Sequence, residues 1–538
     1  METVYGGEDV DTPVFLRAGT KIEPLVCRWP AWPHLISPAQ HAMNLAFRQL
    51  PNLQSFIANP SVHLRAARDP AMLGGPFVSL EGTDIPQVRA LLKRTQESCS
   101  HLLRFAEELR EFDGKLQSAA HGGSLDELYT ELPESLRGLL ELTYDLNGHP
   151  RLRLLEALLY AGGLDNTRFQ EVCLHCTPDH ERAFFMSTPF LESSNRTFLP
   201  LAFADSRIDE LAAMRYRSLP IAEATQRLGV EPVQLAQFRR FFTTQPPVRR
   251  TPGFASAGLR VRYFGHACVL LQTSQVSILI DPLTAWERDE NQATLTFDDL
   301  PDRIDYVILS HAHQDHCVPE MLLQLRGRVG TAIVPHSDTG NLADPSMRLI
   351  LQGLGYRCIR ELGTFESIKL ADGEILSLPF IGEHAGLDIG AKHCVRIQLA
   401  GRSLLFLVDS DAVDAELYRR IAPRVGPIDV LFIGMECNGA PLSWLYGPLL
   451  TRPITRRYDE SRRLSGSTCD RAWHVVKEMG CSQAYVYGMG QESWLRYLLG
   501  LEYTEDSIQI TESNRFVARC REAGIQATRL LGCREIEI

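Results

Sequence analysis

Hydrophobic positions change their rhythm along the chain. Up to about residue 242 the dominant period is helical. Asp84 stands where a helix cap belongs and Pro86 falls in the first turn. Val88, Leu91, Leu92, Leu102, Leu103, Ala106 and Leu109 then recur at three- and four-residue spacing. A second amphipathic run, RLRLLEALLYAGG, is closed by Gly162 and Gly163. Between 183 and 203, AFFMSTPF and TFLPLAFA read as strands. Residues 220–242, PIAEATQRLGVEPVQLAQFRRFF, resemble a helix-turn-helix with Gly229 at the turn. Glycine-turned helix pairs are common, so a packed hairpin closing the domain is the preferred reading.

Residues 243–260, TTQPPVRRTPGFASAGLR, break this periodicity with Pro, Gly, Ser and Ala and read as a linker. Beyond it, VRYFGHACVLLQ, VSILIDP, DYVILS, GTAIVP, SLLFLVDSD, VLFIGM and AYVYGMG are short strand candidates separated by turns and helices. The expected organisation is therefore α/β, with a mixed, mainly helical domain over 1–242, a linker over 243–260 and a second α/β domain over 261–538.

Composition narrows the classes. A chain of 538 residues with 44% apolar and 22% charged residues is a globular protein with room for several cores. A formal charge of −11 counts against a nucleic-acid partner, and against a DNA-binding regulator using residues 220–242. METVYGGEDVDTP lacks a basic start followed by an apolar run, and apolar runs such as LLFLV are too short to span a bilayer. No membrane association and a cytoplasmic location are expected. Thirteen cysteines, an odd number, fit reduced thiols.

The chemistry is concentrated in ILSHAHQDHCVPE. A strand ending at Ser310 delivers His311, His313, Asp315 and His316 into one loop, and such a density of imidazole and carboxylate is costly without a cation. This spacing resembles the metallo-β-lactamase superfamily. GHACVLL, ILIDP, the segment after LPFIG and the aspartate ending LLFLVD occur in the order that superfamily shows. The resemblance implies an αββα sandwich with up to two metals at one edge. His311 and His313 would bind one metal, Asp315 and His316 the other, and Asp409 would bridge them. Asp411, two residues on, is a competitor for Asp409 or a helix cap.

Two features depart from the common pattern. A histidine is usual after a late strand, yet AYVYGMGQESW has none, and beyond Asp409 the chain contains only His474. His474 lies in TCDRAWHVVKEMG, where pattern alone suggests an ordinary, partly exposed helical histidine. In GEHAG, Glu383 and His384 are adjacent, and strand alternation would send them to opposite sides without saying which enters the site.

With these departures the whole chain, first domain included, resembles the diiron β-hydroxylases of chloramphenicol biosynthesis and other nonribosomal peptide pathways. The resemblance implies one iron on His311, His313 and Glu383, a second on Asp315, His316 and His474, and Asp409 shared. Four imidazoles and three carboxylates without a thiolate suit non-haem iron. It further implies dioxygen as co-substrate, electrons from an external reductase, and a homodimer formed through the first domain. The substrate would be an aminoacyl thioester, L-p-aminophenylalanyl in the family, on a peptidyl carrier domain. No flavin or nicotinamide fingerprint is present. A flavodiiron reductase would need a flavin module that is lacking. A dizinc hydrolase of an ester, lactone or thioester, with His384 in place of Glu383, is the main alternative.

Cys173, His175, Cys176 and His180 resemble half a zinc site without its second half. His266 and Asp281 are expected to orient ligands, and His336 and His393 to be ordinary. Arg452, Arg456, Arg457, Arg462 and Arg463, set against Asp459 and Glu460, could meet an acidic carrier or its phosphate, or form a solvated loop.

Overall fold

The computed structural model describes residues 12–247, 254–288 and 293–538. Most of the amino-terminal stretch read for a secretion signal, and residues 248–253 of the expected linker, lie outside them.

The carboxy-terminal half is a sandwich of two seven-stranded sheets. The first runs Ile359–Leu362, Val329–Pro335, Ile304–Ile308, Ser277–Ile280, Cys268–Gln272, Arg260–Gly265, Arg534–Ile536. The second runs Ser367–Lys369, Gly373–Leu378, Cys394–Leu399, Arg402–Phe406, Val430–Gly434, Gln483–Tyr487, Gln526–Arg529. Both are mixed, with antiparallel hairpins leading into parallel crossovers. The strand candidates of this half form strands because their residues are apolar on both faces, except that VRYFGHACVLLQ is a hairpin of two strands, Arg260–Gly265 and Cys268–Gln272. Val269, Leu271, Ile278 and Ile280 meet Ile397, Leu404, Phe406 and Phe432 between the sheets. The intervening Leu270 and Leu279 face the other way, toward the first domain. Each such side chain contributes on the order of 2 kcal/mol by its burial. Helices Ala415–Val425, Cys469–Met479 and Ile508–Glu522 cover the outer face of the second sheet.

The amino-terminal half is mainly helical around a four-stranded sheet of Trp29–Pro30, Lys21–Val26, Gln170–His175 and Arg196–Leu199. The predicted 84–109 helix is real but interrupted at Cys99, giving Ile85–Ser98 and Ser100–Ala119. Two expectations fail. RLRLL forms the strand Pro150–Leu154, paired with Leu140–Tyr144, and only Glu156–Ala161 is helical. AFFMSTPF is irregular; its aromatic character reflects burial of Phe185 and Met186 rather than a ladder. In 220–242 the helix Ile221–Leu228 ends on left-handed Gly229, but the second helix, Leu235–Phe238, is a single turn that buries Phe238. That is a packed closure, too short for a groove-reading helix.

The halves share one core. Trp32, Leu35 and Phe105 pack in the same cluster as Leu322, Tyr446 and Leu498. Polar ties cross the same seam: Arg182 pairs with Glu23 and lies 2.9 Å from Glu320, and Arg326 reaches Asp209 at 2.9 Å. No helix among the described residues is long and apolar enough to cross a membrane.

Candidate metal centre

The strand Ile304–Ile308 ends at the sheet edge, and the next residues form the predicted ligand loop. His311 and His316 are each fixed through Nδ1. His311 Nδ1 lies 2.9 Å from Ser310 Oγ, which donates to Asp281 Oδ2 at 2.7 Å. His316 Nδ1 lies 2.8 Å from the same Asp281 oxygen. Asp281 also accepts the Ser310 amide at 2.8 Å, so this buried carboxylate orients two imidazoles, as expected of it.

The Nε2 atoms left over point at Asp409, whose Oδ2 is 3.8 Å from that of His311 and 3.0 Å from that of His316. Both Nε2 atoms are buried and have no hydrogen-bond partner among the described residues, whereas the buried Glu383 Oε2 faces His384 Nδ1 at 2.5 Å. Leaving a buried polar atom unpaired costs on the order of 1–3 kcal/mol. Convergent nitrogen and oxygen donors of this kind fit divalent metal ions.

His313 is turned the other way. Its Nε2 lies 3.1 Å from the Tyr446 hydroxyl, and its Nδ1 faces Glu383 Oε1 at 2.7 Å. Tyr446 thus does for His313 what Asp281 does for His316. Its position in the chain, 133 residues further on, carried no signal of this role.

GEHAG does not obey strand alternation. Gly382, Glu383, Ala385 and Gly386 have φ of +85°, +65°, +53° and +72°. The left-handed turns bring both buried side chains, Glu383 and His384, to one place, where His311, His313, Glu383 and His384 offer ligand atoms within 4.8 Å of one another. The either-or choice read from the sequence is therefore not imposed by the backbone. Arg462 Nε donates to Ala385 O at 2.7 Å and Lys392 Nζ to Gly382 O at 3.2 Å, holding this loop. Positive φ also occurs at His266, Asp281, Val408 and Ala412. For non-glycine residues this costs on the order of 1–3 kcal/mol each, and its concentration around the ligands marks a functional rim.

The second half of the centre is Asp315, His316 and Asp409. Asp315 Oδ2 lies 2.9 Å from His266 Nε2, and His266, Asp315 and His316 form a second buried ligand cluster. Asp411 turns away to pair with Arg471, and the helix cap considered for it is supplied by Asp414, which accepts the Glu416 amide at 3.0 Å.

His474 is not brought to the centre. Ala472, Val475, Val476 and Met479 form the buried stripe of helix Cys469–Met479, and His474 falls on its exposed face. Helical geometry that buries Val475 and Val476 sends His474 outward. Two further groups lie near the second half: His266, whose bond to Asp315 is that of an orienting residue, and Glu436. Glu436, just past the strand Val430–Gly434, has its carboxyl pushed well above the usual range by burial and by Asp409 and Asp315. It accepts a hydrogen bond from Tyr503 at 3.2 Å. A carboxylate after a late strand was the only signal.

Electrostatics follow the same division. Burial opposes ionisation of Glu383, yet His313 and His384 hold its carboxyl well below the ordinary range. Burial also opposes a charged His313, but Glu383 outweighs it and raises the imidazole. His311 is pushed well below its ordinary value by burial and by His316 and His313. A neutral imidazole with an open Nε2 is ready for a metal.

Elsewhere, Cys173, His175, Cys176 and His180 form no ligand cluster among the described residues. Cys173 and His175 are buried, with His175 beside Glu23 at 3.4 Å, whereas Cys176 is exposed. All thirteen cysteines are free.

Residues 15–246 match the family model described as the diiron non-heme beta-hydroxylase N-terminal domain, and 260–436 match a beta-lactamase superfamily domain. The chain is 32% identical over 522 residues to the 4-amino-L-phenylalanyl-[CmlP-peptidyl-carrier-protein] 3-hydroxylase of Streptomyces venezuelae, covering 96% of this chain and 98% of that one. The crystal structure of CmlA, a diiron beta-hydroxylase from Streptomyces venezuelae, superimposes with a TM-score of 0.90 at 31% identity, over 98% of this chain and all of that one. A point mutant of CmlA gives a TM-score of 0.89 at 30% identity. With both halves matched and the whole chain aligned to such a relative, the chain belongs to the diiron non-heme beta-hydroxylases.

Proposed function

We propose that this protein hydroxylates the β-carbon of an aminoacyl group held as a thioester on a peptidyl carrier domain of a nonribosomal peptide synthetase. The substrate of its Streptomyces relative, a 4-amino-L-phenylalanyl group on a carrier protein, is the first candidate. The observation that carries this reading is the pair of buried ring nitrogens without a hydrogen-bond partner among the described residues, His311 Nε2 and His316 Nε2, beside Asp409 in a chain matched over 98% of its length by a diiron hydroxylase.

One iron would be held by His311, His313 and Glu383, the other by Asp315 and His316, with Asp409 between them. His474, which the family resemblance would give to the second iron, is exposed; His266 and Glu436 lie nearer and would be the candidates for that place. When bound, two non-haem irons would supply dioxygen activation for hydroxylation of the β C–H bond, which is benzylic in the first candidate substrate. The protein's part is orientation. Asp281 and Ser310 fix two imidazoles, and Tyr446 fixes the third. Electrons would come from a separate reductase, and a homodimer through the first domain is part of the same reading.

The helix Arg456–Ser461 presents Arg456, Arg457 and Tyr458 to solvent, while Arg462 behind it holds the GEHAG loop. We assign this helix to carrier docking. His384 lies in the ligand cluster and keeps a dizinc hydrolase as the second reading. Mass spectrometry of an aminoacyl-loaded carrier after incubation with reduced enzyme and dioxygen tests between them. A gain of one oxygen atom is expected; release of the aminoacyl group by thioester hydrolysis would favour the hydrolase.

A further inference from the structure

A cavity of about 580 Å³ opens in the seam between the domains, a volume suited to a small-molecule side chain. Tyr446 forms part of its wall, as do Gly386 and Leu387, which follow directly on Glu383 and His384. Because the Tyr446 hydroxyl touches His313, a group in this cavity is one side chain away from a candidate ligand. Leu109, Leu152 and Leu449 make much of the remaining surface apolar.

Four charged side chains line it. Arg151, Arg153 and Asp388 belong to ion pairs: Arg151 with Asp388 at 3.3 Å, and Arg153 with Glu141 at 3.3 Å. Asp113, on helix Ser100–Ala119, differs. It is half-buried and has no ion-pair partner among the described residues. Its Oδ1 accepts from Gln117 Nε2 at 3.3 Å, and its Oδ2 accepts from the Thr451 hydroxyl. Each carboxylate oxygen can accept about two hydrogen bonds, so both retain acceptor capacity. A carboxylate on a partly apolar wall is costly unless a donor meets it.

We infer that Asp113 receives an N–H donor at the far end of the substrate side chain, and that the enzyme thereby selects amine-bearing aminoacyl groups. The inference rests on the proposed function and names the substrate class of the same site. Asp113 is a specificity residue in this account, since it contacts the substrate remote from the carbon that reacts. Its bonds to Gln117 and Thr451 also give it a structural task, tying the helix to the loop at 451, and the test must separate the two.

Hydroxylation of carriers loaded with p-aminophenylalanyl or with phenylalanyl is compared for the iron-loaded wild type, Asp113→Asn and Thr451→Val. A site built around a substrate N–H discriminates strongly against the analogue lacking it. The wild type should favour the amine by about tenfold or more in kcat/KM. Asp113→Asn, which keeps one acceptor oxygen but loses the charge and the other, should shrink that preference through a fall on the amine substrate alone, with the phenylalanyl rate kept. Thr451→Val removes only the structural bond and should keep the preference. Equal wild-type rates on the two substrates would overturn the inference, as would an equal fall on both in Asp113→Asn or loss of selectivity in Thr451→Val. A wild type that hydroxylates neither carrier, while phenylalanine is unreactive and the thioester is hydrolysed, would instead bring down the proposed function and this inference with it.

Discussion

The metal rim and the domain seam are built in opposite ways. At the rim, His311, His313, Asp315 and His316 come from one loop of six residues, placed by the end of a single strand. At the seam, Asp113, Tyr446 and Leu387 come from three distant segments and meet only because the two halves share a core. Half of the rim is therefore local in the sequence, with Glu383, His384 and Asp409 joining it from later segments, whereas the seam is distributed throughout. The same division appears in the backbone. The rim is strained at His266, Asp281, Glu383, Ala385, Val408 and Ala412, while the seam residues Asp113 and Leu109 sit on an ordinary helix.

If the rim carries the chemistry, its disruption should have the largest effect. Glu383→Ala removes an anionic donor and leaves His313 and His384 facing each other. We expect hydroxylation to fall by at least about a hundredfold, with an altered iron spectrum. Full activity with an unchanged spectrum would show that His384, not Glu383, is the ligand.

Next in size is Asp281→Asn. This change takes a charge away from the atoms that orient His316 and Ser310, and loss of such a support typically lowers metal affinity about 10- to 100-fold. Iron retention against a chelator measures it; retention equal to wild type would mean that Ser310 alone suffices.

Tyr446→Phe probes the point where rim and seam touch. Removing the hydroxyl 3.1 Å from His313 should cost about 1 kcal/mol at that contact, or roughly a fivefold loss in kcat/KM. Iron content should stay near wild type. A loss of iron as severe as in Asp281→Asn would place Tyr446 wholly with the rim.

Charge reversal of Arg456 and Arg457 lies outside both regions. It should weaken carrier affinity several-fold without changing iron content, as ionic-strength-dependent binding reports. Unchanged affinity would remove the docking assignment. The smallest effect is expected for His474→Ala, which should retain wild-type iron and activity because its side chain is exposed on helix Cys469–Met479.

What could be read from sequence follows this division. The strands of the sandwich were legible because their apolar residues are contiguous, and the loop at 311–316 because its ligands are. GEHAG was only half legible. Strand alternation assumes negative φ, and left-handed Glu383 and Ala385 cancel it. The helix pattern around His474 pointed outward, as the structure has it, and only the family resemblance made it a ligand. Tyr446, Asp113 and Glu436 could not be found, since each gains its role from a neighbour far along the chain. In the first domain, RLRLL reads equally as helix or strand over five residues, and pairing with Leu140–Tyr144 decided it.

The central claim is that the rim holds two irons rather than two zincs. It is tested most directly by counting iron and zinc in protein produced without metal bias, alongside dioxygen consumption with an aminoacyl-loaded carrier. The account predicts about two irons per chain and dioxygen uptake that requires the loaded carrier. Two zincs per chain, no dioxygen uptake and hydrolysis of the thioester would contradict it.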